Sequence, residues 1–172
     1  ARTSVSHAYA PTDGMVALRE ALRSKVAREN GLVRSEIMVT AGANQAFANL
    51  VLCLLDAGDK GLLFRPYYFN HLMALQMTNC EAVLAPMTSE LLPDLDVVRA
   101  ELAAGVKLVT LVNPGNPTGT MVPRSMLEEL QDLCETHGAW LILDNTYEHF
   151  AWDVPHACVE ADNVVNVLSF SK

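Results

Sequence analysis

Short runs of Val, Ile, Leu and other apolar residues alternate along this chain with segments whose apolar residues fall at helical spacing. That alternation restricts the fold more than any other feature. The runs are Ile37–Thr40, Gly61–Phe64, Ala82–Ala85, Val106–Val112, Trp140–Leu143 and Val164–Ser169. They are predicted as strands, and because they are apolar on both faces they belong in a parallel sheet covered on two sides. Helices are predicted between them over Asn44–Asp56, Asn70–Thr78, Leu95–Ala104 and Arg124–His137. An earlier helix follows Asp13, carries Met15, Leu18, Leu22 and Val26 on one face, and stops at Gly31. The expectation is an α/β architecture.

Composition removes several function classes. The chain has 172 residues, of which 51% are apolar, with no internal repeat and no Pro/Gly/Ser linker, so 1–172 is read as one domain with a large core. Its net charge of −8 comes from 20 acidic and 12 basic side chains without a Lys/Arg cluster, which argues against a nucleic-acid partner. Apolar runs such as Leu50–Leu55 fall far short of the roughly 18 residues that cross a bilayer, so no membrane span is expected. Cys53, Cys80, Cys134 and Cys158 are widely spaced, without a CxxC pair or a His at ligand spacing. Reduced, buried thiols and no metal site are expected. Residues 1–10 show neither a signal-peptide h-region nor an Arg-rich transit pattern, and a cytoplasmic location is expected.

In a parallel sheet of this kind, ligands collect at the carboxyl ends of the strands. Four segments lie there: Gly42–Asn44, Asn113–Gly119, Asp144–Tyr147 and Ser169–Lys172. Two prolines and two glycines stiffen Asn113-Pro-Gly-Asn-Pro-Thr-Gly119, which suits either a plain strand-to-helix turn or a loop holding the Asn116 amide against a ligand. Asp144 ends an apolar strand, where a carboxylate is costly unless a cation or several donors meet it; otherwise it is a cap or turn residue. Tyr147 stands three residues on, as packing or as a phenol near the same ligand. Lys172 is either a solvated charge or, close to an apolar strand end, an amine with an adjustable pKa.

Taken in order, Asn-Pro-x-Asn-Pro-Thr-Gly, Asp-x-x-Tyr and Ser-x-Ser-Lys resemble the fold-type I aminotransferases that use pyridoxal 5'-phosphate (PLP). Tyr9-Ala-Pro-Thr-Asp-Gly14 with Leu18-Arg-Glu-Ala-Leu22 is similar to the opening segment of that family, and Ala41-Gly-Ala-Asn-Gln-Ala46 to its phosphate-binding turn. Four stretches, Arg65–Asn70, Val112–Pro117, Leu143–Glu148 and Val165–Lys172, resemble a plant and algal branch acting on methionine and aromatic amino acids. Gly115 departs from the Asn or His of most relatives, which changes loop freedom but not the chemical groups.

The resemblance implies the following roles. Lys172 binds the PLP aldehyde and shuttles a proton, Asp144 pairs with the pyridine nitrogen, and Tyr147 and Asn116 hydrogen-bond the phenolic oxygen. Tyr68 stacks on the ring, while Gly42, the amides of Ala43 and Asn44, and Ser169 receive the phosphate. Ser171 either joins them or is a turn hydroxyl. Tyr9 reaches the neighbouring subunit's phosphate, which implies a homodimer. The implied reaction moves an amino group from methionine or an aromatic amino acid to a 2-oxo acid such as indole-3-pyruvate. The same residues would also suit a PLP-dependent C–S lyase, or a regulatory or truncated PLP-binding domain without activity. By the same resemblance the chain is an incomplete large domain, ending at the PLP-binding lysine and lacking a final strand and a small C-terminal domain. It is therefore expected neither to fold stably nor to transaminate alone.

Overall fold

Five of the six runs predicted as strands form one parallel sheet. The computed structural model describes residues 9–152 and 155–172. These fall into two units, Ala1–Thr40 and Ala41–Lys172, of which residues 1–8 of the first lie outside the description, and with them most of the segment read for targeting signals.

In the first unit, α1 spans Val16–Asn30 and ends at Gly31, whose φ of 73° is the left-handed conformation that glycine adopts without strain. Asp13 does not cap it. The cap position is Met15, without a side-chain bond, and the Asp13 carboxylate instead pairs with Arg19 at 2.5 Å. Of the predicted apolar face, Val26 is buried, whereas Met15 and Leu18 remain exposed. The predicted strand Ile37–Thr40 does not form. A strand needs a neighbouring ladder, and all five sheet strands come from residues 60–167; the Val39 amide donates instead to the Asp13 carbonyl at 2.9 Å.

The second unit holds α2 (Ala43–Leu54), β1 (Lys60–Arg65), α3 (Phe69–Met77), β2 (Glu81–Pro86) and α4 (Leu95–Ala103). After these come β3 (Val106–Val112), α5 (Arg124–Thr136), β4 (Trp140–Asp144), a 3-10 turn (Glu148–Phe150) and β5 (Val164–Val167). Because strand side chains alternate, neighbouring residues feed opposite layers. Leu62, Phe64, Val109, Leu111, Leu141 and Leu143 pack with α4 and α5 residues such as Val98, Leu102, Leu127 and Leu130. Leu63, Leu108, Ile142 and Val167 pack with Phe47 and Val51 of α2 and Leu75 of α3. Helices thus cover both faces, as apolar runs without alternation require. Gly61 lets Leu75 of α3 pack close over β1, since a Cβ there would lie 2.8 Å from Leu75 Cδ2.

Strand β5 is shorter than the predicted Val164–Ser169: it stops at Val167, whose carbonyl accepts the Asn145 amide at 2.7 Å. The chain runs from β1 to β2 on one side, then returns to β3 and continues outward through β4 and β5. Direction reverses between β1 and β3, and a crevice opens at such a point beyond the strands' carboxyl ends.

Candidate active site

Asp144, the last residue of β4, is 4% exposed, so its charge must be met by protein groups. Two donors meet it. His71 of α3 brings Nε2 to 3.2 Å from Oδ2, and the Thr146 amide donates to Oδ1 at 3.0 Å. Burial pushes the Asp144 carboxyl up, but hydrogen bonding from His71 and Thr146 outweighs it and holds the group below the ordinary carboxylate range. His71 is itself buried, with its ring 4.1 Å from that of Phe47 and edge-on to Tyr68 at 5.3 Å. The sequence reading missed His71. The available signals were the demand of a strand-end carboxylate for a donor and the place of His71 one helical turn after Tyr68.

Beyond β3, the loop is closed by its own backbone, with Gly119 donating to the Gly115 carbonyl at 2.8 Å and Gly115 to the Thr120 carbonyl at 2.9 Å. Asn113 is fully buried; its amide donates to the Asp144 carbonyl at 2.9 Å, and its Oδ1 accepts from the Val122 amide at 2.9 Å. The loop is thereby tied to the end of β4. It directs Asn116 Nδ2 to within 3.3 Å of the Tyr147 hydroxyl. Lys172 Nζ lies 5.8 Å from the Tyr147 ring centroid.

Helix α2 opens from Gly42, whose φ of 84° and ψ of 169° suit a residue without a Cβ. No side chain caps the helix, so its first amides point outward with the positive end of the helix dipole. Ser169 and Ser171 form a hydroxyl pair at 2.9 Å, and the Ser171 amide also donates to Ser169 Oγ at 3.1 Å.

These groups share one open cavity of about 270 Å³, close to the lower end of the roughly 300–1,000 Å³ of ligand pockets. Gly42, Ala43, Asn44, Tyr68, Asn116, Asp144, Tyr147, Ser169, Ser171 and Lys172 all line it, which brings together every site residue singled out from the sequence except Tyr9. Tyr9 belongs to the first unit, and its side chain is fully exposed. The cavity therefore offers a buried carboxylate, a linked phenol and amide, an amine, and a helix amino end beside two hydroxyls. That set can hold an anionic group while contacting a cationic ring nitrogen and an aldehyde.

The family model for aminotransferases of class I and II matches residues 1–172. Over 170 residues the chain is 51% identical to the aromatic aminotransferase ISS1 of Arabidopsis thaliana, covering 95% of this chain and 43% of that protein. It is 35% identical over 152 residues to the aspartate/prephenate aminotransferase of Thermus thermophilus, covering 86% of this chain and 40% of the relative. The solved structure of aspartate aminotransferase from Thermus thermophilus with maleate superposes with a TM-score of 0.91 at 32% identity, covering 96% of this chain and 45% of that one. The chain thus spans less than half the length of each of these relatives.

Proposed function

The chain belongs to the class I and II aminotransferases, and from that membership we propose that the protein it represents is a PLP-dependent transaminase with its site in this cavity. The observation that carries the reading is the buried Asp144, kept ionised by His71 and Thr146 and facing the same cavity as Lys172 and the α2 amino end. The donor set fits PLP. Asp144 Oδ would meet the protonated pyridine nitrogen, Tyr68 would cover a ring face, and the Asn116–Tyr147 pair would meet the phenolic oxygen. The amides of Ala43 and Asn44 with Ser169 and Ser171 would take the phosphate. When bound, PLP supplies an electron sink for the carbanion formed at the substrate Cα.

The remaining chemistry belongs to the chain's own groups. Lys172 Nζ would hold the aldehyde, and as a free amine it would be placed to accept and return the substrate Cα proton. Asp144 holds the proton on the ring nitrogen because a buried anion raises that nitrogen's affinity for it. Tyr147 and Asn116 orient the phenolic oxygen and set how readily the anchoring nitrogen protonates. The 51% identity to an aromatic aminotransferase supports an aromatic amino acid or methionine as donor and a 2-oxo acid such as indole-3-pyruvate as acceptor. A reducing cytoplasmic setting is proposed for the widely spaced thiols, and Tyr9, exposed in the first unit, is proposed to reach the partner's phosphate in a homodimer.

The test is to supply the full-length protein with PLP, methionine and indole-3-pyruvate and to follow tryptophan by chromatography. Tryptophan formation that disappears in Lys172→Ala supports the reading. Ammonia and thiol release without tryptophan overturns it in favour of a C–S lyase.

A further inference from the structure

Three polar side chains form a hydrogen-bonded chain beside the residues that line the cavity. Asn166 of β5 donates through Nδ2 to the Val159 carbonyl at 2.8 Å, and its Oδ1 accepts from Asn145 Nδ2 at 3.0 Å. Asn145 Nδ2 also donates to the Leu143 carbonyl at 3.1 Å, which fixes the orientation of this fully buried amide with Oδ1 turned the other way. His156 Nε2 reaches that Oδ1 at 2.9 Å and lies 3.1 Å from the Asn113 carbonyl. Both partners are acceptors, so Nε2 carries the proton and is shared between them.

We infer that His156 is a positioning residue which, through this shared Nε2–H, ties the loop carrying Asn116 to the segment carrying Asp144 and Tyr147. The inference rests on the PLP site proposed above. The two acceptors stand at telling places. Asn113 begins the loop that ends in Gly119, and Asn145 sits between Asp144 and Thr146, whose amide holds the Asp144 carboxylate. The Asn116–Tyr147 contact across the gap is 3.3 Å, already at the long end for an N–H···O bond, so a slip of a few tenths of an ångström separates the pair. Together with the Asn113 amide bond to the Asp144 carbonyl, His156 holds that spacing without lining the cavity, and so it acts on the cofactor's phenolic oxygen only through the two residues that meet it.

The experiment compares His156→Leu and His156→Gln in the full-length protein, since glutamine restores an N–H donor and leucine does not. Hydrogen exchange of the cofactor-free protein is read in peptides covering 113–119 and 144–147, with 60–65 on β1 as an internal reference. In His156→Leu both site segments are expected to exchange about five- to thirtyfold faster, 60–65 to stay unchanged, and His156→Gln to recover most of the protection. With PLP bound, the visible circular dichroism band should change in His156→Leu and return in His156→Gln. Unchanged exchange in either site segment, an equal rise at 60–65, or an unaltered visible band in a PLP-loaded leucine variant overturns the inference. If the wild-type protein holds no PLP, the cofactor reading fails, while the exchange pattern still decides whether His156 couples the two segments.

Discussion

Replacing His71 with phenylalanine keeps a ring against Phe47 and Tyr68 but removes the nitrogen that meets Asp144 Oδ2. The side chains of His71 and Asp144 are 4% and 6% exposed, so water replaces the lost donor only poorly. A hydrogen bond to a buried charge contributes about 1.5–3 kcal/mol, and breaking a buried pair costs about 3–5 kcal/mol. Here the Thr146 amide still holds Oδ1, and the carboxyl can relieve its burial by taking up a proton, which places the expected loss near 2–3 kcal/mol at neutral pH. In the wild type, Asp144 titrates below its ordinary value. Its contribution is present above the unfolded pKa of about 3.9 and is lost as pH falls through the lower folded value. In the variant, burial loses its main counterweight and the carboxyl moves upward. The stability gap should therefore be widest at neutral pH and shrink as pH falls through the variant's raised pKa. Urea unfolding of the cofactor-free protein, followed by tryptophan fluorescence between about pH 4 and pH 7, measures it. A loss under about 0.5 kcal/mol at neutral pH, or a gap that does not narrow on acidification, would refute the view that His71 keeps Asp144 charged.

Gly61→Ala would push a Cβ against Leu75 Cδ2 at 2.8 Å and Cδ1 at 3.1 Å in a closed contact, costing about 1–3 kcal/mol; an unchanged denaturation midpoint contradicts this. Gly42→Ala strains the turn before α2 and is expected to weaken PLP binding about five- to thirtyfold in a fluorescence titration, whereas unchanged affinity removes the turn from the phosphate site. Burial pushes the Cys134 thiol up to about 12, while Cys53 is exposed. A disulfide reagent near neutral pH should label Cys53 first and Cys134 only on unfolding, as mass spectrometry of the labelled peptides would show. Among the described residues β5 is an edge of the sheet with no strand paired beyond it, and we propose that these 172 residues alone show neither a cooperative melt nor transamination. A sharp calorimetric transition would contradict the first, and tryptophan formation the second.

What could be read in the sequence followed from how local each signal is. Runs such as Val106–Val112 are apolar on both faces, and a strand covered on two sides must be, so five strands and their helices were legible. Ile37–Thr40 carries the same local pattern, but pairing depends on a distant neighbour that the pattern does not contain. Asn116, Asp144, Tyr147 and Lys172 were legible because they stand at or beyond the ends of paired strands, which converge in a parallel sheet, whereas Gly42–Asn44 open α2 after a segment that does not pair. His71 lies inside an apolar helix beside Leu72 and Leu75, where a buried histidine looks like core until its carboxylate partner is seen. His156 was hidden for a related reason: its partners are a backbone carbonyl and an amide oxygen, neither of which leaves a mark in a motif.

The cavity draws one wall from the start of the second unit, where α2 opens, and its amine from residue 172. Contacts closed over such long stretches of chain are slow to form, because the intervening loop must lose its freedom before any of them is rewarded. A ribosome releases the α2 segment well before Lys172, and until β5 is laid against β4 the Lys172 amine has no fixed place. The proposed PLP site should therefore close only after β5 has paired with β4, which would make PLP loading a sign that these two strands have come together.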